Sequence, residues 1–569
     1  MTGAPPTAGH RKGSSSPAAV LVAVVGTLSA FTAWWWSAYR RGMPWFIDEA
    51  GYLTFAIDHA HAIRDDGAAA VLFDHIDGPY GPLMPAASGT GLAIVDHPYG
   101  VALATMIISG ASLVLASWFL ARRLTTMWWA VLAATVVGTC PIVLALTGVY
   151  YFAVPAAALY TFALACLVRG EHGDRVGWCI AGGISLGLAT LARTMVLGLA
   201  PAVVVVAVWG ACRRAEGRAR RLATLALSGV AGLLVMSPWW IPNLGTVLDY
   251  LDQPARSGRG LGGGSRGRPW QVTGMRDLRL LISDLLLPTS VVLLILALVS
   301  LLVWWRRGAP RGPRSIAALT LTGVVALSLG VLAAAREAVG QWLPLLPAMV
   351  VLAVTGLSQV GGRRARQLGV GVLCSLVGFN LAVASRTIPS LSEPRFVTVG
   401  PVGRVSMTDG RWLLEEQRPR SELSAGGRLP RSYESVQEGV ERIVLRAASR
   451  AAAAHEPAVL VAPRSADQLL STNVLNLADR LVHERPQLII GGFRIPGSRD
   501  PNELRAALDD PQLGQPNLIL SVNNPALESA LPEVGFTAID RLELPEGHHA
   551  TLWWRSRAEL GSAPPGEAG

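Results

Sequence analysis

Charge is scarce in this chain of 569 residues, at 15% Asp, Glu, Lys and Arg against 51% hydrophobic residues. Soluble globular domains carry about a quarter charged residues, so an ordinary water-soluble body is excluded. Lysine is all but missing beyond Lys12, and arginine takes its place. The five cysteines, Cys140, Cys166, Cys179, Cys212 and Cys374, all fall in apolar runs, where they act as small apolar residues. None has CxxC or metal-finger spacing, which excludes a disulfide framework or a zinc module in the polar remainder. Gly258, Gly260 and Gly263 match GxGxxG through glycine abundance alone, because no strand precedes them and no βαβ unit surrounds them. There is also no Walker loop.

Long apolar runs are what the chain has instead, and its mean hydropathy is +0.39. They recur from Ala18 to Ala384 at lengths that suit a hydrocarbon slab of about 30 Å, and arginines or Pro/Gly/Trp clusters close nearly every one. The runs predict about eleven spans, near 17–37, 98–120, 127–146, 150–168, 177–193, 195–212, 222–240, 285–305, 315–335, 341–359 and 367–385. The first, after Arg11 and Lys12, has no convincing small-residue cleavage site and is expected to be an uncleaved signal anchor.

Orientation follows from the basic loops. Arg122/Arg123, Arg169/Arg175, Arg213 to Arg221, Arg306 to Arg314 and Arg363 to Arg366 fall on one side, which the positive-inside rule makes cytoplasmic. The expected organisation is a disordered cytoplasmic amino terminus (1–16), a membrane body (17–385) with exterior loops 38–97 and 241–284, and a tail (386–569) outside a plasma membrane. The net charge of +10 is then an orientation signal and not a nucleic-acid footprint.

The first exterior loop carries the most chemistry. It opens Trp45-Phe-Ile-Asp48-Glu49-Ala-Gly-Tyr52, directly after Arg40 and Arg41. An adjacent pair of carboxylates at a membrane surface suits general-base work on an incoming hydroxyl, while the plainer reading is an acid at a helix amino terminus. His59 and His61 fall on different faces of the helix that follows, a poor arrangement for one metal. The loop goes on through Phe73-Asp74-His75-Ile-Asp77-Gly-Pro-Tyr-Gly-Pro-Leu83 and Asp96-His97-Pro98-Tyr99. Asp74 or Asp77, with the Asp48–Glu49 pair, would complete a base site or hold a divalent cation, against the alternative of a solvated loop. Within 241–284, the run from Arg256 to Arg268, followed by Arg276 and Arg279, is either a basic lid over an anionic lipid or a solvated Gly/Arg linker.

The tail returns to soluble composition and predicts a small α/β unit. Val436, Val440, Ile443 and Ala447 form a helical stripe, and 458–462, 487–490 and 517–521 read as buried parallel strands. Helical stretches are expected near 466–483, 501–509 and 525–531, with an edge hairpin from 540–544 and 550–554. Trp553 and Trp554 either stack on sugars or pack an edge.

The Asp-Glu-Ala-x-Tyr opening, the Gly-Pro-Leu turn and the many short-looped spans resemble the GT-C superfamily. They are similar above all to bacterial relatives of protein O-mannosyltransferases and aminoarabinose transferases. Further support comes from Gly187-Leu-Ala-Thr-Leu-Ala-Arg193, Ser237-Pro-Trp-Trp-Ile-Pro-Asn243 and Leu343-Pro-Leu-Leu-Pro347. The resemblance covers roughly 20–385. It implies a GT-C-like, multi-span α-helical membrane body, to which the residue patterns above add a carboxyl-terminal extracytoplasmic α/β domain. It implies too that a sugar passes from a polyprenyl-phosphate-linked donor to a lipid, glycan or protein acceptor of the cell envelope. Asp48 would activate the acceptor hydroxyl with Glu49 in support, and Arg193, Arg336, Arg276 and Arg279 are candidates for the donor phosphate. Val154-Pro155-Ala156 lacks the acid that relatives often carry there. A non-catalytic polyprenyl-lipid-binding protein or a transporter is the alternative.

Overall fold

The computed structural model describes residues 16–37, 47–67, 81–213, 216–257, 313–335, 343–359, 362–385, 396–399, 403–406, 434–463, 472–483, 486–493, 516–522, 524–544 and 549–556, with a few isolated positions between them. Helices dominate the first part. α1 (Pro17–Trp35) starts on the Ser16 cap, whose side chain accepts from the Ala18 N–H. α2 (Ile47–Asp66) and the short apolar α3 (Leu83–Ile94) pack on each other. α4 (Pro98–Leu124) begins where the His97 imidazole accepts the Gly100 N–H at 2.8 Å, so His97 is a helix cap. Asp96 beside it meets Arg64 at 3.4 Å in solvent.

One expected span is bent. α5 (Met127–Gly138) and α6 (Pro141–Thr147) meet at 60°, because Pro141 has no N–H to continue the ladder and opens a new helix instead. α7 (Ala153–Arg169) and α8 (Val176–Ala192) form an antiparallel pair. A loop joins them, with Glu171 bridging Arg123 (2.6 Å) and Arg175 (3.0 Å), while Asp174 holds Arg221 at 2.6 Å. After a 3-10 turn (Thr194–Gly198), α9 (Ala200–Cys212) leads to α10 (Arg218–Ser257).

α10 continues past the expected span end near 240: it is helical for 40 residues, about 60 Å at 1.5 Å per residue. Its two prolines do not stop it. Pro238 cannot donate to the Leu234 carbonyl, and Ser237 Oγ donates to that oxygen at 3.3 Å instead. α8 and α10 approach closely through small residues, since a Cβ on Gly183 or Gly187 would collide with the backbone of Ser228 or Gly232. α11 (Pro313–Ala335), α12 (Leu346–Ser358) and α13 (Arg363–Ser385) complete the helical part, and α12 is buried along almost its whole length.

Among the described residues, four helices are long and apolar enough to cross a bilayer, or five with the bent α5–α6 pair, and six shorter apolar helices accompany them. The chain is a multi-pass membrane protein of mostly helical structure.

Among the described residues, strands appear only after 395. β1 (Phe396–Val399) and β2 (Gly403–Ser406) pair antiparallel. α14 (Glu434–Ala453) buries the expected stripe of Val436, Val440, Ile443 and Ala447. β3 (Ala458–Pro463), α15 (Thr472–Val482), β4 (Leu488–Phe493), β5 (Leu518–Val522), α16 (Pro525–Ala530), β6 (Thr537–Glu543) and β7 (His549–Trp554) follow. They make one sheet in the order β4-β3-β5-β7-β6, with β3 parallel to both β4 and β5 as the short apolar runs predict. The hairpin is only half an edge, because β7 lies inside the sheet between β5 and β6. Trp553 and Trp554 are accordingly buried, and Trp553 Nε1 donates to Ser521 Oγ at 3.0 Å, so packing is their role. The expected 501–509 helix lies mostly outside the described residues.

Candidate functional site

The site grows from the first turn of α2, which carries positions 48 and 49. Glu49 is 1% exposed, and its Oε1 accepts the backbone N–H of Tyr150 at 2.7 Å. A carboxylate leaves water only when its lone pairs are met, and here an irregular turn supplies a donor. That turn, Gly148 to Phe152, connects α6 to α7, and its first residues have no helical partner for every amide.

The turn is fixed from several sides. Trp36 Nε1 donates to the Thr147 carbonyl at 2.9 Å, and the Tyr99 hydroxyl donates to the Trp36 carbonyl at 2.6 Å. Tyr151 and Phe152 stack with centroids 4.4 Å apart, and Tyr52, one turn along from Glu49, meets Phe152 edge-on at 4.6 Å. Arg193 lies over the same rings. Its guanidinium carbon is 4.7 Å from the Phe152 centroid and 5.9 Å from that of Tyr151, and the residue is 6% exposed.

Arg193 reaches this place because it interrupts two helices. It caps α8 in an extended conformation (φ −153°, ψ 116°), with the 3-10 turn directly after it. The Gly-Pro-Leu element packs against the same point, for a Cβ on Gly81 would drive into the Leu191 carbonyl. Leu83 and Leu191 in turn contact the buried Trp239–Trp240 pair of α10, whose rings cross at 89° with centroids 5.7 Å apart.

A cleft of about 500 Å³ opens between α7, α8, α9 and α10. Its walls are mostly Gly, Ala, Val and Leu, with Gly229, Val204 and Val208 typical, and Thr190 and Leu197 are the lining residues nearest Arg193 in sequence. The volume suits a small-molecule or lipid-chain ligand.

Of the residues expected from the sequence, Glu49 and Arg193 are brought to one aromatic turn. Asp48 lies in the first turn of α2, with its side chain outside the described residues. Asp74, Asp77, Arg276, Arg279 and Arg336 also lie outside them. His59 is buried on α2 while His61 is half-buried, in keeping with different faces. Among the described residues no three His, Cys, Asp or Glu side chains converge as a metal group. Sequence reasoning missed Tyr150, Tyr151 and Phe152, which it assigned to the start of a span. The signal was the Gly148-Val-Tyr-Tyr-Phe152 run, rich in aromatics and poor in helix formers, between Pro141 and Pro155.

Comparison with known proteins bears on the fold. The family model described as dolichyl-phosphate-mannose-protein mannosyltransferase matches residues 77–241. Among solved structures, ArnT from Cupriavidus metallidurans bound to undecaprenyl phosphate is similar at a TM-score of 0.54 and 17% identity, over 94% of this chain and 97% of that one. The archaeal oligosaccharyltransferase AglB from Archaeoglobus fulgidus, in complex with an inhibitory peptide and a dolichol-phosphate, is similar at 0.53 and 11% identity, over 93% of this chain and 74% of that one. No curated protein matches the chain by sequence. The chain thus shares its overall fold with ArnT over nearly the whole of both chains, and with AglB over most of both.

Proposed function

We propose that this GT-C-fold membrane protein transfers a sugar from a polyprenyl-phosphate-linked donor to a lipid, glycan or protein acceptor of the cell envelope, on the outer face of a plasma membrane. One observation carries the reading: the Glu49 carboxylate and the Arg193 guanidinium both contact a single aromatic turn, and residues three and four positions from Arg193 line an apolar cleft of about 500 Å³. The neighbours named above were solved with undecaprenyl phosphate and dolichol-phosphate, which supports a lipid-linked donor here.

The chemistry divides among few groups. The acceptor hydroxyl loses its proton to Asp48 as its oxygen bonds to the anomeric carbon, and the bond from that carbon to the phosphate oxygen breaks. Polyprenyl phosphate leaves with the bonding electron pair. Arg193 meets the negative charge that grows on it, in a site from which water is largely excluded. Glu49, already engaged by the Tyr150 N–H, holds the start of α2 against the turn and so fixes where position 48 stands. The polyprenyl chain occupies the cleft between α7 and α10. Arg336, Arg276 and Arg279 remain further candidates for the phosphate, and Asp74 and Asp77 for a divalent cation. The exterior placement of 386–569 and its role in acceptor binding belong to the same proposal.

The test is a donor screen with purified protein in nanodiscs, offering undecaprenyl-phosphate-linked hexoses and pentoses and following release of undecaprenyl phosphate. Turnover of one donor is expected. Tight binding of undecaprenyl phosphate with no transfer from any donor would favour the non-catalytic lipid-binding alternative.

A further inference from the structure

Two segments far apart in sequence meet beside the site. α15, from the carboxyl-terminal sheet, packs along α2, the helix that carries positions 48 and 49. Arg480 grips Asp58 with two nitrogens: Nε donates to Oδ1 at 2.5 Å and Nη2 to Oδ2 at 3.0 Å. The Arg480 side chain is 16% exposed and that of Asp58 36%, so the pair is partly shielded and its fork geometry gives direction as well as attraction. Seven residues before Asp58, on the same face of α2, Gly51 faces the Asn473 side chain closely. Asn473 Nδ2 lies 3.1 Å from where a Cβ would stand.

The far end of this contact is itself anchored. Asp479, next to Arg480, is fully buried, and its carboxylate accepts the backbone N–H groups of Gln487 (3.0 Å) and Leu488 (3.2 Å) at the start of β4. His483 Nδ1 lies 2.8 Å from its other oxygen. A continuous series of bonds therefore runs from β4 through Asp479 to α15, through Arg480 and Asp58 to α2, and through Glu49 to the Tyr150 turn.

We infer that Arg480 and Asp58 are positioning residues: the carboxyl-terminal sheet, acting through this fork, sets the placement of the acidic first turn of α2 relative to the Tyr150–Phe152 turn. The inference rests on the sugar-transfer reading for its consequence, though its geometry does not. Misplacing a catalytic group by about 1 Å costs up to roughly a hundredfold in rate, so a helix held at two points, Glu49 and Asp58, matters more than its fold alone requires.

The experiment uses the full chain in nanodiscs. Arg480→Gln and Asp58→Asn are expected to speed amide hydrogen exchange across 47–60 while leaving β3 and β5 protected. They are also expected to lower kcat by about tenfold or more, with KM for the lipid-linked sugar held within about twofold. The exchanged pair, Asp58→Arg with Arg480→Asp, is expected to restore both, and Arg480→Lys, which keeps the charge but loses the fork, to fall between. Unchanged exchange in α2 in both single variants, or an exchanged pair no better than either, overturns the inference. If the wild-type chain transfers no sugar, the proposed function fails separately, and the exchange pattern by itself decides for or against the clamp.

Discussion

Glu49 and Tyr150 stand 101 positions apart in sequence, and one hydrogen bond of 2.7 Å joins the side chain of the first to the backbone N–H of the second. It fastens the acidic start of α2 to the irregular turn between α6 and α7. The local consequences can be separated by substitution.

Glu49→Ala leaves the Tyr150 N–H buried with its acceptor removed, which costs about 1–3 kcal/mol. A clear fall in the melting temperature of the detergent-solubilised protein is expected. Glu49→Gln keeps an acceptor oxygen in place and is expected to melt near wild type. Equal destabilisation by both would assign the stability to charge and not to this bond.

Asp48→Asn is expected to abolish sugar transfer in reconstituted membranes with expression and melting unchanged, because the amide cannot take the acceptor proton. Turnover like that of wild type in this variant removes Asp48 from the mechanism.

Arg193 lies over the Phe152 ring and is 6% exposed, a place where a cation is retained for a purpose. Arg193→Gln is expected to weaken binding of undecaprenyl phosphate by about tenfold or more, as charge-assisted bonds to phosphate contribute about 1.5–3 kcal/mol. Titration with undecaprenol, which lacks the phosphate, should show no difference between variant and wild type. A loss shared by both ligands would mean that Arg193 only supports the packing.

Two glycines on either side of the α8–α10 contact should behave in opposite ways. Gly183 abuts the Ser228 backbone, so Gly183→Leu forces the helices apart and is expected to lower stability by several kcal/mol. Gly229 lines the cleft and has nothing within 4 Å of an added Cβ. Gly229→Trp should therefore fold normally while filling the space. Weakened binding of undecaprenyl phosphate, with binding of a short-chain prenyl phosphate retained, is the expected result. Full-length lipid bound as tightly as in wild type would show that the chain lies elsewhere.

Much of the fold is legible in order of residues because the signals are local. Apolar runs of spanning length, arginines at their ends, and short apolar runs of Val, Leu and Ile in the tail each depend only on neighbours within a few positions. The Asp-Glu opening of α2 and the break at Arg193 were legible for the same reason. What lay beyond local signals went astray. Pro238 and Pro242 look like a stop, yet Ser237 replaces one lost donor and α10 continues to Ser257, while Pro141 bends its span by 60°.

The sequence by itself determined which segments leave water and which helix bears the carboxylates, since hydropathy and periodicity are properties of adjacent residues. Only the tertiary structure decided that Glu49 meets Tyr150, that Arg193 lies over Phe152, and that Asp58 meets Arg480 across 422 positions. Such pairings depend on how whole helices and the sheet pack, and no local window of residues contains that information.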